Sequence, residues 1–251
     1  MAPADRAAAD SAARSASDGP CAVLFDFDGT LVHQTIDFAA MRSAVLALAR
    51  RYGIDVEGWD RRPSLEMVAT VAGCLEADRA AAFGREAAEA IEAIEMAAAR
   101  FAQPYQGVME ALAALAERGY GIGIVTRNCR RAVADVLARH PLVHHVLVTR
   151  DDTEHVKPDP RHLYDAAARL GIPAECCLMC GDHPMDVAAG KAAGARTVAV
   201  VYDGAAIGRE AFVGQHAPDL LLASVTELLH RLPARPCSSP CAARQMARRH
   251  G

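Results

Sequence analysis

Five short runs in the chain are too apolar to face water on either side: AVLFDFD (22–28), GIGIVTR (121–127), HVLVTR (145–150), CCLMCGD (176–182) and RTVAVVYD (196–203). Between them, residues 106–117, 130–139, 160–170 and 184–193 carry helical periodicity. Strands buried on both faces and alternating with helices can satisfy that burial in one way, as a parallel sheet covered by helices. The expected fold class is therefore α/β. Sheets of this kind place ligands beyond the carboxyl ends of their strands, near the point where strand order reverses.

The alternation breaks once. From residue 33 to residue 103 no strand is expected, and FAAMRSAVLALARRYG, PSLEMVATVAGCL and DRAAAFGREAAEAIEAIEMAAARF read as three helices. A segment of this size exceeds any ordinary loop, so it reads as an all-helical cap domain inserted after the first strand. The expected layout is a core made of residues 21–32 and 104–232, a cap at 33–103, and disordered tails at 1–20 and 233–251. With 251 residues and 52% apolar content, a packed core is well supplied. A formal charge of −4 gives no electrostatic case for nucleic acid. No run of about 18 apolar residues predicts a membrane span, and the first twenty residues lack the apolar stretch of a secretory signal. The expectation is a cytoplasmic protein with reduced cysteines. Cys176, Cys177 and Cys180 then serve as small core residues, since no second ligand pair stands at zinc-site spacing. The sequence does not specify an oligomeric state.

Polar residues of a matched kind stand at the strand ends. The first run ends in Asp26 and Asp28, the second in Thr126, Arg127 and Asn128. A loop carries Lys157 within KPDP, and GDHPMD supplies Asp182 and Asp186. Burying carboxylates is costly unless a cation or hydrogen-bond donors receive them. Residues i and i+2 of an extended strand share a face, so Asp26 and Asp28 can converge. A hard divalent ion suits such a cluster, and Mg²⁺ takes oxygen ligands while keeping open positions for a phosphate oxygen. The other phosphate oxygens need a hydroxyl, backbone N–H groups and a positive charge. Thr126, the turn amides from Phe27 to Thr30, Gly29 among them, and Lys157 are those parts.

These stretches resemble the four motifs of the haloacid dehalogenase superfamily, in family order. DFDGTLV is similar to the first, VTRN to the second, KPDP to the third and GDHPMDVAAGKAAGA to the fourth, over residues 21–203. The resemblance implies a Rossmann-like parallel sheet with a helical cap inserted after the first strand. It implies that Asp26 attacks phosphorus to form an aspartyl-phosphate, while Asp28 acts as acid and then base. Asp26 and Asp182 would supply side-chain ligands to Mg²⁺, and Asp28 its backbone carbonyl. Thr126 and Lys157 would bind the phosphoryl group. Arg127 and Asn128 would support phosphate or substrate, and Asp186 would back the metal or the lysine.

The same resemblance narrows the reaction. The family's dehalogenases lack an aspartate at the position of Asp28, and its phosphonate-cleaving members use a cap lysine. No lysine occurs between Asp26 and Arg127. Hydrolysis of a small phosphomonoester, an organic-acid or sugar phosphate as in phosphoglycolate-phosphatase-like members, is the leading expectation. A nucleoside monophosphatase and a sugar-phosphate mutase are the alternatives within the family. A phospho-aspartate signalling module is the alternative from another class, and Asp28, set to activate water, argues against it. Specificity is expected from the cap, with His33, Gln34, Asp37 and Arg42 as candidates. Cys129, next to the phosphate-binding residues at a helix start, is a candidate redox-sensitive thiol.

Overall fold

The computed structural model describes residues 19–236. In chain order the elements are β1 (Ala22–Phe25), α1 (Phe38–Arg51), α2 (Ser64–Gly73), α3 (Ala77–Ala99), α4 (Val108–Glu117), β2 (Gly121–Val125), α5 (Arg130–Arg139) and β3 (Val146–Val148). There follow α6 (Arg161–Leu170), β4 (Cys177–Gly181), α7 (Pro184–Ala192), β5 (Arg196–Val200), β6 (Leu220–Leu222) and the single turn α8 (Leu228–Arg231). The expected tails lie largely outside the described residues, at 1–18 and 237–251.

The chain divides into two compact units, the first holding residues 19–32, 104–127 and 142–236 of the described chain. It is built on one six-stranded parallel sheet in the order β3-β2-β1-β4-β5-β6. The α/β class expected from the five apolar runs is the class observed. All four residues of β1 and all five of β4 are buried, as central parallel strands must be. Helix α6 packs on β2 and β3, and α7 packs on β4 and β5. Leu24, Val125, Val148, Leu163, Ala166, Met179 and Ala189 form the core on this face. The reversal of strand order falls between β1 and β4, so the carboxyl ends of these two strands bound the crevice where such sheets bind ligands.

The strands stop sooner than their apolar runs suggest. β1 ends at Phe25, although the Asp26 N–H still bonds the Cys180 carbonyl at 2.9 Å before the chain turns. β6, LLL, has no run of its own length to advertise it and was not anticipated. Cys177 and Cys180 are buried as expected, and burial pushes the Cys177 thiol up to about 12. Cys176 departs from expectation: it is half-buried and disulfide-bonded. It lies one residue before β4, where the chain has not yet entered the sheet.

The second unit joins His33–Gln103 to Asn128–Pro141. Its core is Met41, Val45, Met67, Val71, Phe83, Ala87 and Ile91, drawn from α1, α2 and α3. Their spacing is that of amphipathic helices, and the polar faces remain wet. Helix α5 belongs here through its contacts with α3. Arg131 pairs with Glu92 at 3.0 Å, Arg139 donates to the Ala99 carbonyl, and the Cys129 N–H bonds the buried Glu95 carboxylate at 3.3 Å.

Candidate active site

Adjacent central strands set the site. Because β1 and β4 pair with Phe25 opposite Cys180, Asp26 follows β1 at the level of Gly181, and Asp182 is the first residue past β4, so both emerge at the carboxyl ends of neighbouring strands. Asp186 is added by the first turn of α7. Its Oδ2 accepts the His183 N–H at 3.0 Å, while the His183 imidazole accepts the Met185 N–H, a reciprocal cap that fixes the helix start. One oxygen from each of Asp26, Asp182 and Asp186 lies within 4.8 Å of the others.

Lys157 enters this cluster with its side chain 2% exposed, its Nζ 2.6 Å from Asp26 Oδ1 and 2.6 Å from Asp186 Oδ1. Its own N–H is received by His162 Nδ1 at 3.2 Å, which ties the loop to α6. Burial pushes the Asp26 carboxyl up, Lys157 pulls it down, and Asp186 adds to the rise, leaving it above the usual range. Asp182 is raised well above it, by burial and then by Asp26 and Asp186. Burial works against the Lys157 ammonium, but Asp186 and Asp26 outweigh it and hold its value above normal. His162 is pushed down to about 3 by burial and by the Lys157 charge, so its ring is neutral.

The turn after β1 shapes the other side. Phe27 is buried, and its carbonyl receives the Leu31 N–H at 2.9 Å. Gly29 has φ of 87°, and a Cβ there would stand 2.2 Å from Asp182 Oδ2, so this position requires glycine twice over. Gly181 leaves equivalent room: a Cβ would stand 2.2 Å from Asp186 Oδ2. Thr30 Oγ1 donates to Asp182 Oδ1 at 3.0 Å.

The structure thus brings Asp26, Asp182, Asp186 and Lys157 together, with Gly29 against Asp182. Asp28 is half-buried in the turn and is not one of the three clustered carboxylates. Thr126 is buried just past β2, its N–H bonded to the Val148 carbonyl at 3.0 Å. Arg127 points a guanidinium N–H at the Met185 sulfur, and its carbonyl receives Arg150. Asn128 falls in the second unit, where its Oδ1 accepts the Cys129 N–H at 2.8 Å. Cys129 is 1% exposed, and its sulfur accepts the Ala132 N–H as the cap of α5. That burial removes the access a redox-sensitive thiol needs. Of the cap candidates, Asp37 is the N-cap of α1 and Gln34 bonds the Ile36 N–H, both local duties. Arg42 is half-buried and His33 exposed.

Sequence reasoning overlooked the Thr30 hydroxyl, having used only the amides of its turn, and His162. Thr30 sits inside DFDGTLV and carried a signal; His162, a lone histidine on a helix, carried none.

A haloacid dehalogenase-like hydrolase family model matches residues 22–194. The chain is 32% identical over 221 residues to pyrophosphatase PpaX of Halalkalibacterium halodurans, covering 82% of this chain and 94% of that protein. It is 32% identical over 192 residues to the N-acetylmuramic acid 6-phosphate phosphatase of Pseudomonas aeruginosa, covering 72% and 81%. Its fold is similar to that of a predicted phosphoglycolate phosphatase from Haemophilus somnus, with TM-score 0.58 and 19% identity over 84% and 97% of the two chains. No helix among the described residues is long and apolar enough to cross a membrane. The motif order, the switch-point carboxylates and the family match agree, and the chain belongs to the haloacid dehalogenase-like hydrolases.

Proposed function

We propose that this hydrolase is a Mg²⁺-dependent phosphatase acting on a small phosphomonoester through a phosphorylated Asp26. One observation carries the reading. Three clustered carboxylates, Asp186 buried and Asp26 and Asp182 half-buried, share a single ammonium, a formal charge of −2 that a divalent cation would bring to zero. The donor set is all oxygen and therefore fits Mg²⁺. Asp186 commits one oxygen to Lys157 and the other to the His183 N–H, so Asp26 and Asp182 are the better ligands. When bound, the ion would keep these carboxylates ionised and draw charge from a phosphate oxygen.

The chain's own residues supply the rest. An Asp26 oxygen forms the bond to phosphorus as the ester P–O bond breaks. Asp28 gives its proton to the leaving oxygen, then takes one from the water that attacks phosphorus. Phosphate leaves, and the Asp26 carboxylate is regenerated. Lys157 orients Asp26 through its 2.6 Å contact and offsets phosphate charge, while Gly29, Thr126, Arg127 and Asn128 serve the phosphate or the substrate. The N-acetylmuramic acid 6-phosphate phosphatase supports an acidic sugar phosphate as substrate. PpaX favours a second reading in which the phosphoryl group leaves from a phosphoanhydride.

The test is phosphate release from a panel of organic-acid phosphates, sugar phosphates, nucleoside monophosphates and pyrophosphate. It is run with Mg²⁺ and with EDTA, on wild type and Asp26→Asn. Release that needs Mg²⁺ and falls by about a thousandfold in the variant is expected. Release that persists in EDTA or in Asp26→Asn would refute the mechanism.

A further inference from the structure

The turn that carries Asp28, Gly29 and Thr30 is gripped from outside by two tyrosines that the motifs do not include. Tyr202, two residues past β5, donates its hydroxyl to the Thr30 carbonyl at 3.0 Å and accepts the Val225 N–H at 3.4 Å. Tyr105, where the chain returns toward α4, donates its N–H to the Leu31 carbonyl at 3.1 Å. The two rings lie nearly parallel, 7° apart, with centroids 3.6 Å from one another. Adjacent carbonyls of one turn are therefore held by two residues that also stack on each other. All of these groups belong to the first unit.

Thr30 passes this grip inward. Its carbonyl is fixed by Tyr202, and its hydroxyl donates to Asp182 Oδ1 at 3.0 Å. Thr30 itself is fully buried, so neither end has water as a substitute partner. We propose that Tyr202 is a positioning residue for the metal carboxylate: its hydroxyl holds Thr30 so that Thr30 aims Asp182 at the cation. The Tyr105 ring braces the Tyr202 ring from the far side. The relay rests on the Mg²⁺ reading above and adds to it a residue that touches neither metal nor phosphate. Outer partners of this kind set ligand orientation, and their loss commonly weakens metal binding roughly tenfold or more.

The experiment is Mg²⁺ binding by calorimetry, on the full chain and without substrate, beside a melting curve for each variant. Tyr202→Phe keeps the ring and its stack and removes only the hydroxyl. A weakening of roughly tenfold is expected for it. Thr30→Val should lose at least as much, and Thr30→Ser should return close to wild type. Because the two residues act in series, Tyr202→Phe in a Thr30→Val background should cost little more. Wild-type Mg²⁺ affinity in Tyr202→Phe overturns the relay, even if the melting temperature falls, since a merely structural tyrosine would behave so. Fully additive losses in the double variant also overturn it. Wild type that takes up no Mg²⁺ would instead sink the reading of the acidic cluster.

Discussion

Lys157 shows how much a single buried charge can hold. It faces Asp26 and Asp186 with both contacts at 2.6 Å, and its backbone is tied to His162. Removing it leaves the carboxylates uncompensated, so Lys157→Ala in EDTA should lose about 3–5 kcal/mol of stability in urea unfolding. The loss should be smaller at pH 5 than at pH 8, because protonated carboxylates no longer repel. In wild type the ammonium's folded value lies above its ordinary 10.5. Its contribution is therefore complete below that value and fades as pH rises through the folded one. His162 has the opposite sense. Its ring is held down to about 3, so below the unfolded 6.5 the unfolded chain binds more protons than the folded one. Stability should then rise with pH between about 3 and 6.5, with a slope of up to about 1.4 kcal/mol per pH unit from this group. His162→Asn, which keeps an acceptor for the Lys157 N–H, should flatten that limb of the unfolding profile.

At the scale of elements, the site depends on where strands end and on what the next turn leaves empty. Gly29→Ala adds a carbon where Asp182 Oδ2 already stands and forces φ of 87° on a residue with a side chain. The expected outcome is a lower melting temperature, by about 1–3 kcal/mol of backbone strain, together with Mg²⁺ affinity reduced roughly tenfold. A calorimetric titration beside a melting curve checks both. The alternation of apolar runs and helices made β1 to β5 legible because parallel strands bury both faces. β6 was not legible, since three leucines beside a turn look like any loop. The clustered aspartates and Lys157 were readable from their motifs, each lying at a strand end or in a loop beside one. Thr30 donating to Asp182 across 152 positions of sequence was not, because no local pattern records a partner that distant. The strand bounds were overestimated for one physical reason. Asp26 and Asp182 extend their apolar runs in space while no longer sharing the full ladder.

Over the whole molecule, the acidic cluster should link folding to metal. Mg²⁺ at a hundredfold excess over its Kd should add about 2.7 kcal/mol to the stability of a protein that binds it only when folded. Differential scanning calorimetry with Mg²⁺ and with EDTA reads this directly. Because Asp26 and Asp182 are raised in the metal-free protein, uptake of the ion should release protons. The release should be greatest at acidic pH and shrink as pH rises, and calorimetry in buffers of differing ionisation heat counts them.

The placement of β1 at the middle of the sheet also bears on how the chain is made. Its first neighbour, β2, begins roughly a hundred residues downstream, and its second, β4, follows later still. A ribosome adding about 5–20 residues per second would leave this apolar strand without a sheet partner for about 5–20 seconds. During that interval the nascent strand carries Ala22 to Phe25 with both edges open. The first strand of the sheet to be made thus has both edges paired only after β4 has followed, and it is a natural stretch for a holding chaperone to cover.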